Sequence, residues 1–183
     1  MIKIPCPIEG LLLYEAKKFG DQRGYFFESY RQDRFQSWVD APNRFVQDNV
    51  SKSNRGTLRG LHFQAPPYAQ AKLVHVVEGE VFDVAVDLRK KSPTYGQWHG
   101  VHLSAENARH FYIPRGFAHG FLVLSETAIF SYKCDNYYHK ESEGGLLWND
   151  SKLSISWPEI GGDIELSEKD KALPSWNAFT SPF

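Results

Sequence analysis

The chain has 183 residues, enough to enclose a sizeable hydrophobic core and within the usual range for one domain spanning 1–183. Its 21 basic and 22 acidic side chains leave a net charge of −1, which provides no global field to draw it to DNA, RNA or an anionic membrane. Cys6 and Cys134 cannot build a disulfide framework and lack the spacing of a redox or zinc motif, so both read as ordinary reduced thiols.

From the N-terminus, the apolar run Leu11-Leu12-Leu13 is too short for a signal peptide or a membrane span, and a cytoplasmic location is the expectation. Phe35, Trp38 and Val39 share one stripe of a short helix predicted over Arg31 to Val39. Between about residues 45 and 135, apolar runs alternate with turn formers: Leu73 to Val77, Val81 to Leu88, Val101 to Leu103, Phe111 to Ile113, Phe121 to Leu124 and Ala128 to Tyr132. That rhythm predicts an all-β sandwich or barrel. Lys72 to Asp87 reads as a hairpin turning at Gly79, a residue free to take positive φ. A second peripheral helix follows Ser167. Neither a repeat nor a Gly/Ser-rich linker interrupts the chain. Aromatic residues make up 15% of it, more than a modest core requires, which suggests stacking platforms as well.

Two stretches concentrate chemistry. Gln47 to Gln64, followed by Lys72, is the densest polar stretch. On an extended strand Gln47 and Asn49 point together, as do Thr57, Arg59 and Leu61, while His62 points the other way unless a bulge intervenes. A solvated face is the commoner fate of such a run. In Ile113-Pro-Arg-Gly-Phe-Ala-His-Gly-Phe121, Pro114 and Gly116 shape a turn that delivers His119 onto the next strand. Pro-x-Gly-x-x-His resembles half of the cupin barrel motif. Metal-binding cupins pair it with an earlier His-x-His, and here that stretch reads His62-Phe63-Gln64, so a metal-free barrel is expected.

Taken jointly and in order, Phe19-Gly-Asp-Gln-Arg-Gly-Tyr-Phe-Phe-Glu-Ser-Tyr30, Gln47-Asp-Asn-Val-Ser-Lys-Ser53, Thr57-Leu-Arg-Gly-Leu-His-Phe-Gln64, Gly79 to Arg89, Ile113 to Phe121, Trp148-Asn-Asp150 and Leu166 to Asp170 resemble the dTDP-4-dehydrorhamnose 3,5-epimerases. The resemblance implies a cupin-like double-stranded β-helix, or jelly-roll barrel, with short peripheral helices. It implies His62 as base, paired with Asp170, Tyr132 as acid on the other face, and Lys72 at the ketone oxygen. Arg23, Arg59, His119 and Lys169 would lie along the sugar diphosphate. Glu28, Gln47, Asn49 and Glu143 would position nucleoside and phosphates, and Phe26 and Tyr138 would sandwich the thymine. The partner implied is a dTDP-linked 4-keto-6-deoxy sugar, with no cofactor. A homodimer is also implied, in which the N-terminal segment, about residues 1–50, crosses to the other subunit. The chain departs from the pattern at His75, where Arg or Lys is more usual, and at Cys134-Asp-Asn136, which replaces a Thr- or Ser-rich link.

These residue types suit the reaction. A proton beside a ketone leaves only if charge moves onto the carbonyl oxygen, and an ammonium stabilises the enolate more than the ketone. An imidazole accepts the proton near neutral pH, and a phenol, protonated there, donates on the opposite face. Each residue also has a structural reading. Ser167 and Asp170 have capping spacing, Tyr132 lies in an apolar run, and Lys72 and Arg59 fit exposed strand charges. Three other functions share the residues: a single-centre epimerase, a non-catalytic nucleotide-sugar-binding cupin, and a metal-dependent cupin.

Overall fold

The computed structural model describes residues 1–39 and 44–183; residues 40–43, part of the segment expected to cross between subunits, lie outside the described residues. In chain order the elements are β1 (Ile2–Ile4), β2 (Leu12–Glu15), β3 (Phe19–Asp21), β4 (Gly24–Phe26), α1 (Gln32–Gln36), β5 (Gln47–Asn54) and β6 (Leu58–Gln64). There follow β7 (Lys72–Glu78), β8 (Glu80–Asp87), β9 (Trp98–Ser104), β10 (Arg109–Ile113), β11 (Phe117–Val123), β12 (Thr127–Cys134), β13 (Glu143–Gly145) and α2 (Glu168–Lys171). Two antiparallel sheets result, ordered β1-β2-β10-β7-β12-β5 and β13-β6-β11-β8-β9. Together they form the all-β, cupin-like jelly roll that the resemblance implied.

Strand alternation decides what each face meets. From the first sheet Val74, Phe111, Ile113 and Phe130 point inward and meet Val81, Ala85, Val101 and Phe121 of the second. Their neighbours point outward. Leu73 and Tyr112 pack under Phe35 of α1, while Val84 and Val86 lie in one cluster with Trp157, Trp176, Phe179 and Phe183 of the C-terminal segment. Because both faces of these strands are covered, they read as continuous apolar runs in the sequence.

The hairpin expected over Lys72 to Asp87 does not form. β7 pairs with β10 and β12, whereas β8 pairs with β11 and β9, so consecutive strands belong to opposite sheets. Gly79 is the corner between them. It has φ +79°, and a Cβ there would fall 2.1 Å from the Thr127 carbonyl oxygen. The chain folds over the barrel's edge at that point, a path open to glycine alone. Both predicted helices are present, α1 shorter than expected and ending before Trp38 and Val39, and α2 starting after Ser167.

β3 and β4 stand apart as a separate two-stranded sheet. Phe19, Tyr25 and Phe26 on it are more than half exposed.

Candidate active site

Simple alternation along β6 would put His62 and Arg59 on opposite faces. The pairing with β11 runs from His119 opposite His62 to Phe121 opposite Arg59, so β6 carries one residue more than its partner over that interval. This bulge turns both side chains into the barrel. Gly60 and Gly120 permit it by their close approach, since a Cβ on Gly60 would lie 2.5 Å from the Gly120 Cα. Leu61 and Phe63, on either side of His62, point outward into the cluster under the C-terminal segment.

Between the sheets lies a cavity of about 500 Å³ whose lining includes Arg59, His62, Lys72, His119 and Tyr132, closed on one side by Lys169 and Asp170. A second lobe of about 290 Å³ shares His62, Lys72 and Tyr132 and adds Gln47, Asn49, Tyr138 and Glu143. The imidazole belongs to one sheet, and the phenol and ammonium belong to the facing one. All three stand where the lobes meet.

His62 Nε2 lies 2.6 Å from Asp170 Oδ1. Burial raises the Asp170 carboxyl, but the bond and charge of His62, the Gly60 N–H and Ser167 together outweigh it and the net shift is downward. The carboxylate is therefore ionised and can only accept, which requires His62 Nε2 to carry the proton and leaves the Nδ1 lone pair free. Burial pushes the Tyr132 phenol up, so it is protonated at neutral pH. Burial pushes the Lys72 ammonium down, opposed by the charges of Cys134, Asp83 and Glu143. The Lys72 Nζ sits 5.9 Å from the centre of the Tyr132 ring, and Lys72 pairs across the sheet with Cys134.

The polar groups around this centre hold one another. Arg59 Nε donates to Ser53 Oγ at 3.1 Å, and Lys169 is paired with Glu143 at 2.6 Å. Glu143 also accepts from the Tyr138 hydroxyl at 3.0 Å. Gln47 Nε2 donates to Asn49 Oδ1. His119 reaches the cavity, and its Nε2 donates to both oxygens of Asp83 at 3.0 and 2.9 Å. Burial lowers the His119 pKa despite that carboxylate.

Arg23, Phe26 and Glu28 are not brought to this cavity within the chain. Arg23 and Phe26 line a shallow pocket on the β3–β4 hairpin, where Arg23 is paired with Asp21 and its side chain is 90% exposed. Glu28 is paired with Arg31 and Arg34 beside α1. Two residues beneath the site escaped the sequence reading although both carry a signal. Ser53 continues the alternation of Gln47, Asn49 and Ser51 on the inner face of β5, and Asp83 is a fully buried charge inside the apolar run of β8.

Among the described residues, no group of three or more His, Cys, Asp or Glu side chains is placed to hold a metal ion. Gln64, in the slot where a metal cupin carries its second histidine, bonds to the backbone of Tyr68, Tyr137 and His139 instead. No helix among the described residues is long and apolar enough to cross a membrane.

Facing antiparallel sheets around a cavity with a histidine bonded to an ionised aspartate, a neutral phenol and a lysine describe a cupin-like acid–base enzyme. Residues 5–178 match the family model for dTDP-4-dehydrorhamnose 3,5-epimerase. The Salmonella typhimurium protein of that name is 57% identical over 174 residues, 95% of this chain and 94% of its own. The crystal structure of dTDP-4-dehydrorhamnose 3,5-epimerase from Elizabethkingia anophelis has a TM-score of 0.91 at 54% identity, covering 96% of each chain. That of dTDP-6-deoxy-D-glucose-3,5-epimerase from Legionella pneumophila, in complex with dTDP-4-keto-L-rhamnose, has a TM-score of 0.93 at 51% identity, covering 97% of this chain and 94% of its own. The chain belongs to the dTDP-4-dehydrorhamnose 3,5-epimerase family and is an isomerase.

Proposed function

We propose that this enzyme inverts C-3 and C-5 of dTDP-4-dehydro-6-deoxy-D-glucose to give dTDP-4-dehydro-L-rhamnose. The observation that carries the reading is that His62 and Tyr132 enter one cavity from opposite sheets, with Lys72 at the same junction. Inversion requires removal from one face and delivery to the other, and opposed walls meet that demand.

His62 Nδ1 takes the proton from the carbon beside the ketone, and the bonding pair moves into the ring as charge develops on the C-4 oxygen. The Lys72 ammonium stabilises that oxygen, an effect on the order of 3 to 4 kcal/mol for a donor placed in this way. Asp170 stabilises the imidazolium that forms. The Tyr132 hydroxyl then delivers its proton to the opposite face of the same carbon. Each inversion leaves His62 protonated and Tyr132 ionised, and exchange with solvent resets both. Turning the ring presents the second carbon, which also flanks C-4, to the same pair. Arg59 and Lys169 suit the diphosphate, as guanidinium and ammonium donors to phosphate oxygens. Gln47, Asn49 and Glu143 in the smaller lobe suit the nucleoside, with the Tyr138 ring stacking on thymine.

We also read the protein as a cytoplasmic homodimer, with the exposed β3–β4 hairpin carrying Arg23 and Phe26, and Glu28 after it, to the partner's cavity. The exposed aromatics of that hairpin support this. With the keto sugar nucleotide in heavy water, deuterium should enter both C-3 and C-5 and the product should be the L-configured sugar. Label at one carbon only would instead make this a single-centre epimerase.

A further inference from the structure

Tyr138 is 54% exposed, with its phenol anchored on Glu143. An exposed ring is a useful stacking platform only if the backbone beneath it is fixed, because ordering a loose loop on binding subtracts from affinity. Two glutamine amides do this fixing. Gln47 Oε1 accepts from the Tyr138 N–H at 3.0 Å. Gln64, only 5% exposed at the end of β6, holds both neighbours. Its Nε2 donates to the Tyr137 carbonyl at 3.2 Å and to the Tyr68 carbonyl at 2.7 Å, and its Oε1 accepts from the His139 N–H at 2.8 Å. The rings of Tyr68 and His139 then stack with centroids 3.7 Å apart. Only a primary amide offers two donors and an acceptor at this position. A carboxylate of the same shape keeps the acceptor but turns an oxygen towards two carbonyls.

We propose that Gln64 is a positioning residue for nucleobase recognition, its buried amide clamping the backbone on both sides of Tyr138 and so fixing the plane of that ring at the mouth of the smaller lobe. The inference rests on the stacking role proposed above for Tyr138. It also gives the residue in the cupin ligand slot a use in nucleotide binding.

The test is a double-mutant cycle on dTDP affinity, measured by calorimetry on the full chain, with thermal melts of each variant. Gln64→Glu should weaken dTDP about tenfold, the effect of losing one or two hydrogen bonds, and leave kcat at saturating substrate within about twofold of the parent, a ground-state binding effect. Gln64→Met, which removes all three bonds in an apolar shape, should do the same and serves if the carboxylate variant does not fold. In a Tyr138→Ala background either substitution should weaken dTDP by less than about twofold, because the ring it positions is gone. The same loss in both backgrounds, or parental dTDP affinity in the Gln64 variants, would overturn the inference. Parental affinity in Tyr138→Ala alone would overturn the stacking role and this inference with it, whereas a loss in Tyr138→Ala without one in the Gln64 variants would overturn the inference alone.

Discussion

Asp170 serves two structures at once. Its backbone N–H donates to Ser167 Oγ at 3.1 Å, forming the cap at the start of α2, and its carboxylate reaches His62 from 108 positions away in the chain. The cap was readable from spacing, and from the residues alone it accounted fully for the aspartate. The bond to His62 was not, since no local pattern reports a partner so far away in the chain. Tyr132 is a similar case, because an apolar run predicts a buried ring but not which cavity its hydroxyl enters. The two roles of Asp170 separate experimentally. Asp170→Asn keeps the backbone N–H and the cap, so the melting temperature should hold within a few degrees. It should lower kcat by roughly a hundredfold or more, because an amide neither fixes the tautomer nor stabilises the imidazolium. A variant with unchanged kcat would leave Asp170 with the cap alone.

β8, β10 and β11 were legible because both their faces are covered and nearly every residue along them is buried, whereas β7, β9 and β12 showed only as shorter apolar stretches. What joins them was less legible. Gly79 marked a turn in the sequence, but whether the chain doubles back or crosses to the other sheet depends on which strands lie alongside. The bulge in β6 was foreseeable only as an option, because the glycine contact that permits it involves Gly120 on another strand. The turn after β8 illustrates how such a connection is held. Asp87 accepts from Arg89, Ser92 and Thr94. Burial raises its carboxyl, but these bonds prevail and hold it at about 2. Unfolding returns the group to about 3.9, so its contribution of about 2 kcal/mol is complete above that value and disappears as pH falls towards the folded pKa. Denaturant unfolding at pH 6 and pH 2 should therefore show a stability loss that is smaller by about that amount in Asp87→Asn. An equal loss in both proteins would remove this turn from the account of acid sensitivity.

At the scale of the molecule, the proposed mechanism depends on the two sheets because they bring His62 and Tyr132 into one cavity from two sides. The cavity holding His62, Lys72 and Tyr132 is assembled within one chain, while Arg23, Phe26 and Glu28 stand away from it. If the hairpin crosses between subunits, co-expressing Arg23→Ala with His62→Ala should restore activity. Mixed dimers would then hold one intact site each, giving about a quarter of the parental rate from two inactive variants. No recovery would mean that Arg23 acts on its own subunit or not at all. The opposition of imidazole and phenol across the cavity is tested most directly by Tyr132→Phe in heavy water. With the base intact and the acid removed, the keto sugar nucleotide recovered from that variant should carry deuterium beside the ketone without inversion at the labelled carbon. Inversion at the parental rate in Tyr132→Phe would contradict the two-wall arrangement.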